Sequence, residues 1–141
     1  MDPAGTRLPG GTYRISRAEN EALCASVGAA AAADDRAHPI FYYIATQVGM
    51  GISVADLLAL CDFDVADGPL MVGSKAKFAG ELLVEQDYAV SGTIDSLVRK
   101  SSRAFGAMDM LSFTLALQDE AGATILSCTS QWVLPRKEAS A

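Results

Sequence analysis

Apolar residues recur at helical spacing in the first half of this chain and at every second position in the last half. Ser16-Arg17-Ala18-Glu19 has the spacing of a capping box, in which the hydroxyl and the carboxylate each take up an orphan backbone N–H. That predicts a helix from Arg17 to about Val27, stopped by Gly28. Thr12 to Ile15 predicts a short strand before it. Pro39 to Cys61 is almost continuously apolar, broken only by Thr46, Gln47, Ser53 and Asp56. Pro39 suits a first helical turn, so the run predicts one long helix. A helix apolar on all sides belongs in the centre of a fold, which places Val48 in the interior. The run is also long enough to cross a membrane. Asp56, Gly49 and Gly51 weaken that reading, and no basic flank anchors either end.

From Leu70 onward the period is two. Leu70 to Phe78 reads as one strand. In the next, Tyr88, Val90, Ile94 and Val98 share a face, opposite Asp87, Ser91, Thr93 and Asp95. Leu111, Phe113, Leu115 and Leu117 repeat the pattern. Leu126, Cys128, Trp132 and Leu134 repeat it again, against Ser127, Thr129 and Gln131. Gln118-Asp119-Glu120-Ala121-Gly122 is a polar turn that closes the last two strands as a hairpin. The predicted order is a short strand, a helix, a long buried helix and four antiparallel strands. A long central helix wrapped by a curved antiparallel sheet is the α+β arrangement known as the hotdog fold. At 141 residues the chain has the size of one domain, read as residues 11–135 between flexible tails at 1–10 and 136–141.

Charge narrows the partners. Seventeen acidic against eleven basic residues give a net charge of −6, which disfavours nucleic acid and anionic membrane surfaces. Cys24, Cys61 and Cys128 are odd in number and form no Cys-x-x-Cys pair, so they read as reduced thiols. Met1 to Gly11 has no basic-then-apolar signal pattern, and a cytoplasmic location is expected. With one histidine, a three-histidine zinc site is impossible. Gly49-Met50-Gly51 matches no phosphate loop. Neither a metal nor a cofactor is expected.

The candidate chemistry is sparse. His38 precedes the long apolar run in Asp34-Asp35-Arg36-Ala37-His38-Pro39, where it is either a general base or a capping and packing residue. The start of that helix offers N–H groups that polarise a carbonyl, but Pro39 removes one of them. Tyr42 and Tyr43 either line a channel or divide between core and solvent. Arg99, Lys100 and Arg103 are either a solvated hairpin end or a dock for an anionic carrier.

Taken in order, Ala37-His38-Pro39-Ile40-Phe41 before the helix, Lys75-Ala76-Lys77-Phe78 ending a strand, the long strand ending at Arg99 and the final hairpin resemble the MaoC-like hotdog superfamily of (R)-hydratases and hydroxyacyl dehydratases over residues 11–135. Active members carry an Asp-x-Asn-Pro-x-His loop before the helix. Aligned on Pro39, this chain has Arg36 at the Asp position, His38 at the Asn position and Phe41 at the His position. It therefore looks like the silent half of the family. The resemblance implies a subunit of a heteromeric dehydratase for (3R)-3-hydroxyacyl thioesters carried by acyl carrier protein or CoA, in fatty-acid or polyketide-type biosynthesis. This chain would shape the acyl pocket with Phe41 and Tyr42, and a second hotdog subunit would supply the Asp and His. Two alternatives stand beside it: a self-sufficient homodimer using His38, and a non-enzymatic acyl-binding hotdog.

Overall fold

The computed structural model describes residues 2–103 and 106–136. Strand β1 (Gly11–Arg14) leads into helix α1 (Arg17–Ser26), then α2 (Phe41–Gly49), α3 (Val54–Leu60) and a 3-10 turn at Val65–Asp67. Four strands follow: β2 (Leu70–Phe78), β3 (Asp87–Ser102), β4 (Gly106–Gln118) and β5 (Thr124–Pro135). All neighbours in the sheet are antiparallel, in the order β1-β3-β4-β5-β2. Helix α2 packs on β1, β3, β4 and β5. It reaches β2 through Tyr42, whose ring meets Phe78 edge-on at 6.2 Å. One helix thus touches all five strands, which is the wrapped arrangement expected.

The inner face of the sheet is what alternation predicts across β4 and most of β5. Leu111, Phe113, Leu115, Leu117, Leu126 and Leu134 are fully buried, and they pack with Phe41, Ala45 and Met50 of the helical layer. Ser16 caps α1 as expected, its hydroxyl accepting from Glu19 N–H at 3.0 Å. The reciprocal half of the box is absent. The Glu19 carboxylate instead accepts from the Tyr13 hydroxyl at 2.6 Å, and the Arg17 N–H goes to Glu85 at 2.7 Å. Burial, with the Glu19 hydrogen bond and charge added, pushes the Tyr13 phenol up to about 12.

Three sequence expectations are corrected. The run from Pro39 to Cys61 is two helices bent by 67°, not one. Gly51 holds φ +80 at the break, and a Cβ there would strike the backbone of Gly10. Ser53 then caps α3, accepting from Asp56 N–H at 3.1 Å. No single helix among the described residues is long and apolar enough to cross a membrane. Val48, placed in the interior by the long-helix reading, is 68% exposed.

The second correction concerns β3. Its pairing with β4 slips between Ile94 and Ser96. A bulge adds one residue and reverses the facing of everything beyond it. Leu97 and Arg99 therefore stand opposite Leu111 and Asp109, while Val98 is 47% exposed.

The third concerns the tails. Residues 5–8 run beside β3, with Leu8 N–H donating to Gly92 carbonyl at 2.9 Å and Ile94 N–H to Thr6 carbonyl at 2.9 Å. Leu8 is buried. It fills the notch left by the absent side chain of Gly92, where an added Cβ would lie 3.0 Å from Leu8 Cδ1. The packed domain therefore begins before Gly11. At the other end Arg136 is also tied in, to Asp109 at 2.8 Å.

The broken helix generates a stability contrast. Gly51→Ala forces a left-handed backbone onto a side chain and should cost about 1–3 kcal/mol in denaturant unfolding. Val48→Asp should cost at most about 1 kcal/mol, the penalty for a carboxylate in a last helical turn. The reverse order would contradict the break.

Candidate functional site

The loop before α2 folds back on two elements. Ala37 N–H donates to Leu82 carbonyl and Val84 N–H to Asp35 carbonyl, both at 2.8 Å. His38 N–H donates to the buried Asn20 Oδ1 of α1 at 2.8 Å. A cleft of about 410 Å³ opens here. Its walls include Cys24, Ala30, Ala37, Pro39, Phe78 and Leu82, with His38, Arg36 and Glu81 as polar groups. The cleft is mostly apolar with few polar groups, as a site for an acyl chain should be.

Within it, His38 behaves as a cap. Its Nδ1 accepts from Ile40 N–H at 3.1 Å, which places the remaining ring proton on Nε2. The other donors of the first turn are also taken. Phe41 N–H goes to His38 carbonyl at 3.1 Å, Tyr42 N–H to Pro39 carbonyl at 3.0 Å and Tyr43 N–H to Ile40 carbonyl at 3.0 Å. No N–H is left to hold a thioester oxygen. The nearby carboxylates face elsewhere: Asp34 pairs with Arg36 at 2.9 Å and Asp35 with Arg17. Arg36 lowers the Asp34 carboxyl by its backbone and side-chain hydrogen bonds. Among the described residues no carboxylate bonds to His38, and no group of His, Cys, Asp and Glu could hold a metal ion.

The other expected residues separate. Phe41 is 1% exposed and belongs to the core; it is not among the residues lining this cleft. Tyr42 is half-buried; its hydroxyl lies 3.4 Å from Ser74 Oγ. With Tyr43, 6.1 Å away, and Phe78 it forms an aromatic shelf between α2 and β2. Phe78 belongs to both shelf and cleft, and joins them into one continuous surface.

Arg99, Lys100 and Arg103 lie at the far end of the sheet. Phe78 sits level with Leu126 and Leu117, whereas Arg99 sits level with Asp109. Those levels are about 25 Å apart along β4 at the strand rise. Arg99 turns inward and pairs with Asp109, whose side chain is 6% exposed. Arg136 holds the other oxygen of Asp109, donates to the carbonyls of Cys61 and Asp62 at the end of α3, and stacks 5.3 Å over Phe63. Burial alone would raise the Asp109 carboxyl, but hydrogen bonds and charge from Arg99 and Arg136 outweigh it and hold it below the usual range. Arg99 is therefore a structural ion-pair member, while Lys100 and Arg103 are exposed. A second groove passes this hub, lined by Leu97, Cys61 and Phe63 among others. Burial pushes the Cys61 thiol up to about 11, so it stays neutral and is no nucleophile.

Sequence reasoning missed Phe78, Glu81 and Asn20 around the cleft, and Asp109 and Arg136 in the hub. One signal was present. Asp109 shares the alternation of Leu111 to Leu117, and a carboxylate on an apolar face requires a buried partner.

No protein-family model matches the chain, and no curated protein sequence matches it significantly. Solved structures match its fold. One is the ChsH1-ChsH2 complex from Mycobacterium tuberculosis, with a TM-score of 0.75 at 15% identity over 96% of this chain and 92% of that one. Another is the C-terminally truncated HadBC (3R-hydroxyacyl-ACP dehydratase) complex from the same organism, at 0.67 and 13% over 94% and 98%. A MaoC-like dehydratase gives 0.72 at 11%, with 96% of this chain spanning 43% of that one. At such identities the likeness establishes the fold. The chain is an α+β hotdog of the kind seen in MaoC-like dehydratases.

The hub has a pH signature. Because the folded Asp109 carboxyl lies below its ordinary value, its contribution is present above about pH 4 and lost as pH falls through the folded value. Asp109→Asn should therefore cost about 1–3 kcal/mol at pH 7, and that deficit should shrink on acidification toward pH 3. A deficit constant with pH would show that the charge is not what stabilises the hub.

Proposed function

We propose that this chain is the acyl-holding subunit of a heteromeric dehydratase acting on (3R)-3-hydroxyacyl thioesters linked to acyl carrier protein or CoA. One observation carries the reading: the start of α2 is chemically closed, with His38 Nδ1 spent on Ile40 N–H and every first-turn donor occupied. The likeness in fold to the HadBC (3R)-hydroxyacyl-ACP dehydratase complex supports the choice of substrate class. So does the Pro39-aligned loop, which lacks the Asp and His of active relatives.

In this proposal a partner hotdog subunit seated along the β2 edge supplies both groups. Its base removes the proton α to the thioester, its acid protonates the departing 3-hydroxyl, and water and a 2-enoyl thioester result. This chain contributes the cleft and the Tyr42–Phe78 shelf, which enclose the acyl chain and keep water from it. Lys100 and Arg103 remain only as contacts for the carrier's surface. We place the assembly in the cytoplasm, consistent with three buried free thiols.

The test is reconstitution. The purified chain alone should form no 2-enoyl thioester from a 3-hydroxyacyl thioester. Co-expression with a hotdog subunit bearing the complete Asp-x-Asn-Pro-x-His loop should give activity. In that complex His38→Ala should cost less than about tenfold in rate, well under the roughly 10²–10⁴-fold due to a general base. A thousandfold loss in fully assembled protein would instead make His38 the base and the chain self-sufficient in chemistry. Acyl binding without activity in any assembly would favour the non-enzymatic reading.

A further inference from the structure

Strand β2 is an edge of the sheet, paired with β5 on one side only. It is unusually apolar for an edge: Leu70, Met71, Val72 and Phe78 are all exposed large hydrophobics. An edge of this kind invites another strand. Its charges are one-sided as well. Leu70–Phe78 carries Lys75 and Lys77 and no carboxylate, in a chain whose net charge is −6. Pairing with Thr129 and Ser127 puts both lysines on the outer face of the sheet, away from the aromatic shelf. Both are exposed, and among the described residues neither makes an ion pair.

Consider what a second copy would meet. In antiparallel pairing, directly opposite residues share a face. The pairing of β2 with β5 slips between Met71 and Gly73, so its regular stretch is Gly73–Phe78; a two-fold register centred on Ser74 within it sets Ser74 opposite Ser74. Lys75 then stands diagonal to the second copy's Lys75, roughly 7–8 Å away. Sliding one allowed step sets the two Lys75 side chains directly opposite. The next step makes two Lys75–Lys77 pairs. Each of these self-pairings brings together four positive charges and no negative one. An edge strand bearing Asp or Glu on its outer face meets the same lysines with attraction at each register.

We propose that β2 is a charge-selective docking edge, whose occupant is an unlike antiparallel sheet carrying carboxylates on the outer face of its edge strand. The apolar residues supply contact area and Lys75 and Lys77 supply the choice of partner. The inference rests on the reading that a second hotdog covers this edge, and it gives that partner a chemistry. It also explains how a chain with an exposed apolar edge avoids pairing with itself.

The test needs only this chain. Wild type and Lys75→Glu/Lys77→Glu are each sedimented alone and then as an equimolar mixture, in 50 mM and 500 mM NaCl. Both positions are exposed, and matching thermal unfolding confirms that the variant folds. The mixture should dimerise about tenfold more tightly than either chain alone at low salt, equivalent to about 1.4 kcal/mol. High salt should erase most of the difference, since screening then acts within about 4 Å. Lys100→Glu, an exposed charge at the far hairpin, should give no such gain on mixing. Wild type that dimerises alone as tightly as the mixture overturns the proposal and makes a second copy the occupant. A mixture that associates no better than its parts, or Lys100→Glu that works equally well, overturns it too. Because association is read without chemistry, a missing dehydratase activity sinks the proposed function and not this edge. An active complex indifferent to the lysine reversal sinks this edge and not the function.

Discussion

Nine residues of α2 have to be in contact with five strands at once, and most of the fold is arranged around that demand. A helix and a sheet pack at a distance set by their side chains, so contact with every strand needs places where side chains are missing. Gly49 is one: a Cβ there would lie 2.5 Å from Val90 Cγ2. Gly92 makes room of the same kind elsewhere on the inner face, for Leu115 and for Leu8 from the N-terminal segment. The chain bends just beyond α2, at Gly51, where the backbone is left-handed and a Cβ would strike the backbone of Gly10. Packing fixed by absent side chains is unforgiving, since interiors are close to crystal density and a single added methyl is felt.

How much of this was readable depended on how local each cause is. The alternation along β4 and β5 was legible because a strand buries every second residue whatever lies beside it. The broken helix was partly legible. Ser53-Val54-Ala55-Asp56 has capping-box spacing two residues after Gly51, but the nearly continuous apolar content of the segment outweighed both marks. The β3 bulge at Asp95 was not legible, because a one-residue slip is chosen by the partner strand. Its consequence was large: strict alternation sends Val98 inward, whereas the slip sends Arg99 inward to Asp109. The docking of residues 5–8 depends on a glycine more than eighty residues away, which no local pattern can report.

The site followed the same division. His38 and Pro39 marked the approach to α2, and the missing Asp-x-Asn-Pro-x-His loop was visible by comparison with the family resembled. What His38 does with its ring was not visible, because the Nδ1 cap of Ile40 N–H depends on how the loop turns into the helix. Phe41 illustrates the limit of reading position alone. It sits in the register of a functional side chain, yet its ring is the first buried contact of α2 with the sheet. Phe78, at the end of β2, joins shelf and cleft.

Under the proposed function, a closed helix start and an open sheet edge are two aspects of one design. Active acid–base pairs need unsatisfied or weakly satisfied polar groups, which cost stability wherever they are buried. A subunit that has its first-turn donors internally bonded and its only imidazole used as a cap carries no such cost at this site. It can then commit its apolar surface to an edge and a shelf that are incomplete alone. Within the proposed assembly such a subunit offers a rigid surface to dock against, and preorganised surfaces hold substrate better than mobile ones. In the proposed complex the chemically closed start of α2 suits this chain to a scaffolding role. The exposed hydrophobics of β2 are, in that proposal, the surface that the partner subunit covers.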